Sequence, residues 1–276
     1  MQVTQIANGF AARITGIDLS QHLDDDLFAE IRSLWMEHRI VLFPDQTLDD
    51  ESLVAFAGRF GRLFVHAQTS LLSKKRKEVM ELSNLPEAER KTTHELDWHT
   101  DQTYTPEPVF GTMLYGLVAP TEGGETLIAD LAGAYASLTD ALRSRVEGVP
   151  AVYSAEPRPK VRETPLNVDE KKRIPDCTHP LVRRHPYLDR KALYLSPLHM
   201  KTIGDLSEED SLELIRELTS HATQPAHVYC HTWTVGDLIM WDNTSVMHRR
   251  TPFPPDEPRH LKRAGFYLPK DLAVPF

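Results

Sequence analysis

The chain has 276 residues, 41% apolar and 26% charged, which is long enough to bury a sizeable core and ordinary for a folded globular protein. Its 31 Lys and Arg against 40 Asp and Glu leave a net charge of −9, which argues against a nucleic-acid-binding surface; the basic run Lys74 to Lys77 is short and reads as a solvated loop. Cys177 and Cys230 form neither a CxxC pair nor a disulfide framework, and no signal-like start or apolar run near the ~20 residues that span a bilayer is visible, so a reducing, cytoplasmic setting without a membrane partner is expected.

Taken as one domain over residues 1–276, the chain opens with a strand candidate at residues 10–19, FAARITGIDL. Leu27, Phe28, Ile31, Leu34 and Trp35 recur at helical spacing and predict an amphipathic helix over residues 25–38. The run RIVLF at 39–43 predicts a strand stopped by Pro44 and Asp45, and Leu53, Phe56, Ala57 and Phe60 predict a helix over 49–60. Residues 64–96 are polar and irregular, a loop insertion of the kind that forms lids. Strands are expected at 110–118 and 126–129, separated by the turn APTEGGE, and a helix from about 132 to 147. A second insertion, Pro-rich and charged, covers 149–178. HPLVRRHP and KALYLS then resume strand-like runs around a turn at Asp189 and Arg190.

Ser207 and Asp210 form a capping pair for a helix whose apolar face carries Leu212, Leu214, Ile215 and Leu218. HVYCHTW, LIMWDN and RHLKRAGFYL supply three strands in the C-terminal third. The simplest architecture is a mainly β core with flanking helices and long loops at one end, a form that takes small molecules in its mouth.

Within DWHTDQTYTPEPVFGTML, residues 97–114, His99 and Asp101 stand two apart. In an extended segment they share a face and can chelate one ion. Spacing alone decides nothing, because His22 and Asp24 repeat it in DLSQHLDDD, where a helix-capping role is expected. A third ligand is available in WDNTSVMHRRTPF, where His248 follows a strand and a polar turn that Asp242 and Asn243 would shape. Two imidazoles and one carboxylate match the facial triad of non-haem Fe(II) oxygenases, although the same donors also suit Mn, Co, Ni and Zn.

With period two, RHLKRAGFYL places Arg259, Leu261 and Arg263 on one face and His260 and Lys262 on the other. The two guanidinium groups would enter one cavity about 13 Å apart along the strand, and anions are expected opposite them. Arg249 and Arg250 read instead as surface loop charges. Trp98, Trp233 and Trp241 read as packing residues, His227 and His231 as sheet-surface or core residues, and His66 and His94 as candidates for substrate contact.

These residues carry a resemblance to the taurine dioxygenase and 2,4-dichlorophenoxyacetate dioxygenase family of Fe(II)/2-oxoglutarate enzymes. That family's pattern is His-x-Asp, Thr about two dozen residues later, a distant His, and Arg shortly after it. Here 24 residues separate Asp101 from Thr126, 121 separate Thr126 from His248, and 10 separate His248 from Arg259. GFAARITGIDLS, HRIVLFPDQTLDDESLVAFAGRFGRL, GGETLIADLAGAYASL and VGDLIMWDN extend the similarity over nearly the whole chain.

The resemblance implies a double-stranded β-helix, or jelly-roll, core. It implies iron ligation by His99, Asp101 and His248, binding of the distal 2-oxoglutarate carboxylate by Arg259 with Thr126, and a hold on an anionic primary substrate by Arg263. Gln102 and Tyr104 match positions that line the substrate pocket. The implied reaction consumes O2 and converts 2-oxoglutarate to succinate and CO2 while hydroxylating the substrate; Asp101 argues against halogenation, for which a small residue stands at that position. Two alternatives stay open: desaturation or another oxidation in natural-product assembly, and a jelly-roll metal sensor without turnover. Subunit number is open, with a symmetric dimer or tetramer as the general expectation.

Overall fold

The computed structural model describes residues 1–66, 69–88, 91, 96–156 and 174–269, so His94 and the middle of the second predicted insertion lie outside the described residues. Among the described residues, a seven-stranded sheet runs in the order β1 (Gln2–Ile6), β2 (Ala11–Thr15), β3 (Ile40–Phe43), β14 (Leu238–Asp242), β6 (Gly111–Val118), β16 (His260–Phe266), β4 (Met80–Ser83). A four-stranded sheet runs β13 (Val228–His231), β7 (Thr126–Asp130), β15 (Val246–Arg250), β5 (Leu96–His99). All pairings are antiparallel except that of β2 with β3.

Alternation along the strands sets the layering. Ile40, Leu42, Ile239, Trp241, Leu114 and Leu261 turn inward and pack against Ile128 and Val246 of the four-stranded sheet. Their neighbours Val41, Phe43, Leu238, Met240, Met113 and Tyr115 turn outward. There they meet α1 (Asp25–His38) and α2 (Asp50–Gly58), whose Ile31, Trp35, Leu53 and Phe56 fill the second layer. Strands buried on both faces therefore read as unbroken apolar runs, as RIVLF and LIMW do. The inner layer between two facing sheets is the arrangement of a jelly roll.

The outer face of the smaller sheet is covered by α3 (Leu131–Ala136), α4 (Asp140–Val146) and α5 (Glu208–Ala222). The single helix expected over 132–147 is thus two helices. Thr139 is extended, at φ −62° and ψ 153°, and its side chain accepts from the Leu142 N–H, so it starts a new helix. Leu138, Leu142 and Val146 all enter one cluster, which is why the apolar pattern runs on across the break. Asp24 caps α1 by accepting from the Leu27 N–H, the role expected for the second His-x-Asp pair.

Other differences concern short strands. β1 precedes the predicted N-terminal strand, β4 lies inside the stretch read as irregular, and β5 begins at that stretch's last residue. The ends of the second insertion are β8 (Pro150–Tyr153) and β9 (Cys177–Pro180), paired with each other and, through β8, with β12 (Met200–Ile203). β10 (Val182–Arg184) and β11 (Lys191–Leu193) pair around the expected turn. β15 (VMHRR) carries through Arg249 and Arg250, whose charge makes that end of the strand resemble a loop in the sequence. No helix among the described residues is long and apolar enough to cross a membrane.

β6 begins at a glycine for a steric reason. A Cβ at Gly111 would lie 2.1 Å from Phe266 Cζ. Phe266 is fully buried, stacked on Phe60 and edge-on to Trp35, so it has nowhere to move. Gly111→Ala is expected to lower the unfolding free energy by about 3 kcal/mol in urea titration; a change below about 0.5 kcal/mol would mean that this core yields where its packing says it cannot.

Candidate metal centre and cavity

His99 closes β5 and His248 sits at the middle of β15, and the two are partners in register. Cross-strand neighbours bring side chains together, and here the imidazole centroids are 4.2 Å apart. The buried Thr100 hydroxyl lies 2.8 Å from the Leu195 carbonyl and 3.0 Å from the Val246 carbonyl, which ties the end of β5 to its surroundings. Asp101 is not a strand residue, as alternation on a sheet would have it. It lies in the turn after β5, and Gln102 follows at φ 55°, a left-handed conformation that reverses the chain. The turn brings Asp101 Oδ1 to 3.9 Å from His99 Nε2 and 3.9 Å from His248 Nε2. One ligand atom from each of the three residues lies within 4.8 Å of the others, and all three side chains are buried.

The electrostatics favour neutral imidazoles beside an ionised carboxylate. Burial pushes His99 below its ordinary value, and His248 further because His99 adjoins it. Burial by itself would raise Asp101, but the Arg263 guanidinium and the Thr112 hydrogen bond outweigh it and hold the carboxyl well below the usual range. Thr112 Oγ1 donates to Asp101 Oδ2 at 2.6 Å, and Arg263 Nη2 stands 2.8 Å from the same oxygen. His99 Nδ1 lies 2.8 Å from the Asp97 carbonyl, which places the proton there and turns Nε2 toward Asp101. Two neutral nitrogens and one anionic oxygen facing a common point fit a divalent metal ion.

The three residues line a cavity of about 300 Å³. Thr126, Arg259, Arg263, Gln102, Tyr104 and His66 line it as well. Arg259 is only 2% exposed, and it forms no ion pair among the described residues. Burial and the adjacent Arg250 bring its guanidinium down to about 9. Its backbone N–H donates to Asn84 Oδ1 at 2.8 Å, and Asn84 Nδ2 donates in turn to the Glu257 carbonyl at 2.8 Å. Gly124, at φ +71°, lets the preceding turn pass close by, since a Cβ there would lie 3.2 Å from Arg259 Nε. The Trp233 indole N–H donates to Thr126 Oγ1 at 3.0 Å. A buried cation facing open volume calls for an anion.

Arg263 enters the same cavity, whereas Lys262 on the opposite face pairs with Asp50, and His260 lies 3.8 Å from Glu81. Gln102 Nε2 donates to the Tyr104 hydroxyl at 2.9 Å, and the Tyr104 ring rests against His199 at 4.6 Å. Leu71, Met80, Leu82, Leu114 and Leu198 supply an apolar wall.

Two readings change, and one further residue joins the cavity. Arg249 and Arg250 are half-buried strand residues that line the cavity, not surface loop charges, because β15 continues to Arg250, opposite Thr126. The signal was available, since His248 and Arg250 are two apart in an extended run. Trp241 packs, but it also lines the cavity, with its ring 4.5 Å from that of His248. His199 lines the cavity and carries no motif that would have singled it out. His231 is buried 3.3 Å from Asp237, and His227 lies near Ser137; neither lines the cavity.

Residues 2–264 match the profile described as "Taurine catabolism dioxygenase TauD, TfdA family". The chain is 32% identical to the (S)-phenoxypropionate/alpha-ketoglutarate-dioxygenase of Sphingobium herbicidovorans, over 93% of this chain and 92% of that one. It is 32% identical to the alpha-ketoglutarate-dependent 2,4-dichlorophenoxyacetate dioxygenase of Cupriavidus pinatubonensis, over 92% of this chain and 93% of that one. Among solved structures, AAD-2 in complex with Mn(II) and N-oxalylglycine superposes with a TM-score of 0.84 at 31% identity, covering 98% of both chains.

The geometry generates a direct test by Mn(II) titration followed by electron paramagnetic resonance. His99→Ala and Asp101→Ala are each expected to weaken binding by more than about 100-fold, and His227→Ala to leave it unchanged. Affinity that survives His99→Ala would show that the three facing atoms do not form a metal site.

Proposed function

The chain belongs to the taurine catabolism dioxygenase TauD, TfdA family, and from that membership we propose how its cavity divides the work of an alpha-ketoglutarate-dependent dioxygenase. Enzymes of this kind are oxidoreductases that use Fe(II), 2-oxoglutarate and O2. His99 Nε2, Asp101 Oδ1 and His248 Nε2 hold the iron. Bound there, the iron supplies the redox chemistry that couples decarboxylation of 2-oxoglutarate to succinate and CO2 with oxidation of a substrate C–H bond. The observation that carries this reading is the set of three ligand atoms within 4.8 Å of one another, in a cavity that also holds the buried Arg259.

Arg259 binds the distal carboxylate of 2-oxoglutarate through its planar fork, and Thr126 completes the contact with its hydroxyl. Trp233 supports that assignment: an indole N–H can only donate, so the Thr126 oxygen accepts from it and keeps its own hydrogen for a carboxylate. Arg263 holds the anionic end of the primary substrate while its ion pair steadies Asp101. The apolar wall suits a substrate with a hydrophobic body, bordered by Gln102 and Tyr104. Phenoxypropionate and 2,4-dichlorophenoxyacetate, named for the two relatives, combine a carboxylate with an aromatic ring. The substrate is accordingly a small amphiphilic carboxylate or sulfonate, and hydroxylation is the favoured outcome. Unbridged Cys177 and Cys230 support a reducing, cytoplasmic setting, and a symmetric dimer or tetramer is the assembly expected on general grounds.

The deciding experiment supplies Fe(II), ascorbate and 2-oxoglutarate under air, with aryloxy acids, alkyl sulfonates and acylated amino acids as trial substrates. Succinate formation stimulated by one of these classes is expected; its absence with every class would leave a metal-binding protein without turnover. With an active substrate, Arg259→Ala is expected to raise the KM for 2-oxoglutarate on the order of 100-fold. An unchanged KM would remove Arg259 from the co-substrate's carboxylate.

A further inference from the structure

Asp101 Oδ2 ends a chain of buried hydrogen bonds whose direction is set at its far end. Trp241 is fully buried, and its indole N–H lies 3.0 Å from Asn243 Oδ1. Because an indole only donates, Asn243 must turn its oxygen toward Trp241. Its Nδ2 then points to Thr112 Oγ1, 3.0 Å away, and donates there. The Thr112 hydroxyl, accepting on that side, has its hydrogen for Asp101 Oδ2 at 2.6 Å. Strand pairing fixes the parts: Thr112 and Trp241 are direct partners across β6 and β14, and the Asn243 N–H donates to the Phe110 carbonyl at 2.8 Å. Thr112 and Asn243 are 0% and 2% exposed, so water does not compete for these bonds.

We propose that Trp241, Asn243 and Thr112 are positioning residues whose one-way relay orients the Asp101 carboxylate, so that it meets the metal through Oδ1 alone. The inference rests on the ligand assignment made above. With Thr112 and Arg263 both on Oδ2, rotation of the carboxylate would break a hydrogen bond and a buried ion pair together. Binding through both oxygens would occupy an extra position on the ion, one that the co-substrate or O2 otherwise takes. Trp241 therefore has two separable contributions: its ring stands against His248, and its N–H orients Asn243.

The test titrates Mn(II) into purified full-length variants under anaerobic conditions and records the unfolding midpoint of each metal-free protein. Thr112→Val is expected to weaken Mn(II) binding about tenfold and Trp241→Phe, which keeps a ring beside His248, roughly threefold. Thr112→Ser is expected to stay near the parent. The double variant Trp241→Phe/Thr112→Val is expected to bind no more weakly than Thr112→Val alone, because both act through one chain of bonds.

Parent-like Mn(II) affinity in Thr112→Val, in a protein that loses affinity on His99→Ala, overturns the relay, even where the unfolding midpoint falls. Thr112→Ser as weak as Thr112→Val overturns it too. If Thr112→Val does not fold, Trp241→Phe decides, and unchanged affinity there is a refutation. Mn(II) affinity that survives His99→Ala is a different failure, of the ligand assignment beneath the proposal.

Discussion

An ionised carboxylate taken out of water must be compensated where it stands, and Asp101, a residue only 5% exposed, meets that demand. Its compensation comes from separate parts of the chain. Arg263 arrives on β16 and Thr112 on β6, while the neutral imidazoles that face the carboxylate stand on β5 and β15. Every one of those strands is held in register by its neighbours, so the position of the carboxylate is a property of both sheets. Loss of any one contact leaves the charge less well matched and the geometry at Oδ1 less certain.

The cavity is electrically lopsided as a result. At the triad the charges are nearly balanced by Arg263. Toward Thr126 the Arg259 guanidinium has no carboxylate partner among the described residues, and Arg250 adds a second positive group nearby. That surplus suits one carboxylate of a dianion such as 2-oxoglutarate, whose other end would meet the metal at the triad. The proposed chemistry thus follows from where positive charge is left over as well as from the ligand set.

Tryptophan contributes polarity as well as bulk. Trp241 and Trp233 each bury a ring in the inner layer and direct a donor-only N–H at a polar partner, Asn243 in one case and Thr126 in the other. Reading them as packing residues captured half of what they do. The missing half depends on which atom of a neighbouring strand faces the indole nitrogen, and that is a consequence of register between β14 and β6 and between β13 and β7.

The order of the long elements, the alternation that divides inner from outer layer, the resemblance, and the grouping of His99, Asp101, His248, Thr126, Arg259 and Arg263 as candidates were all legible in the sequence, because period and spacing are local quantities. Tertiary structure alone decided the rest. β15 became a strand because it fills a place between β7 and β5, despite its charged end. Thr112 and His199 join the site through contacts between residues distant in the chain, and Asn243, expected only to shape the turn before His248, meets Thr112 across a separation of 131 in residue number. No local pattern encodes such pairs, since they arise when two sheets close over one another and each buried polar atom must find a partner.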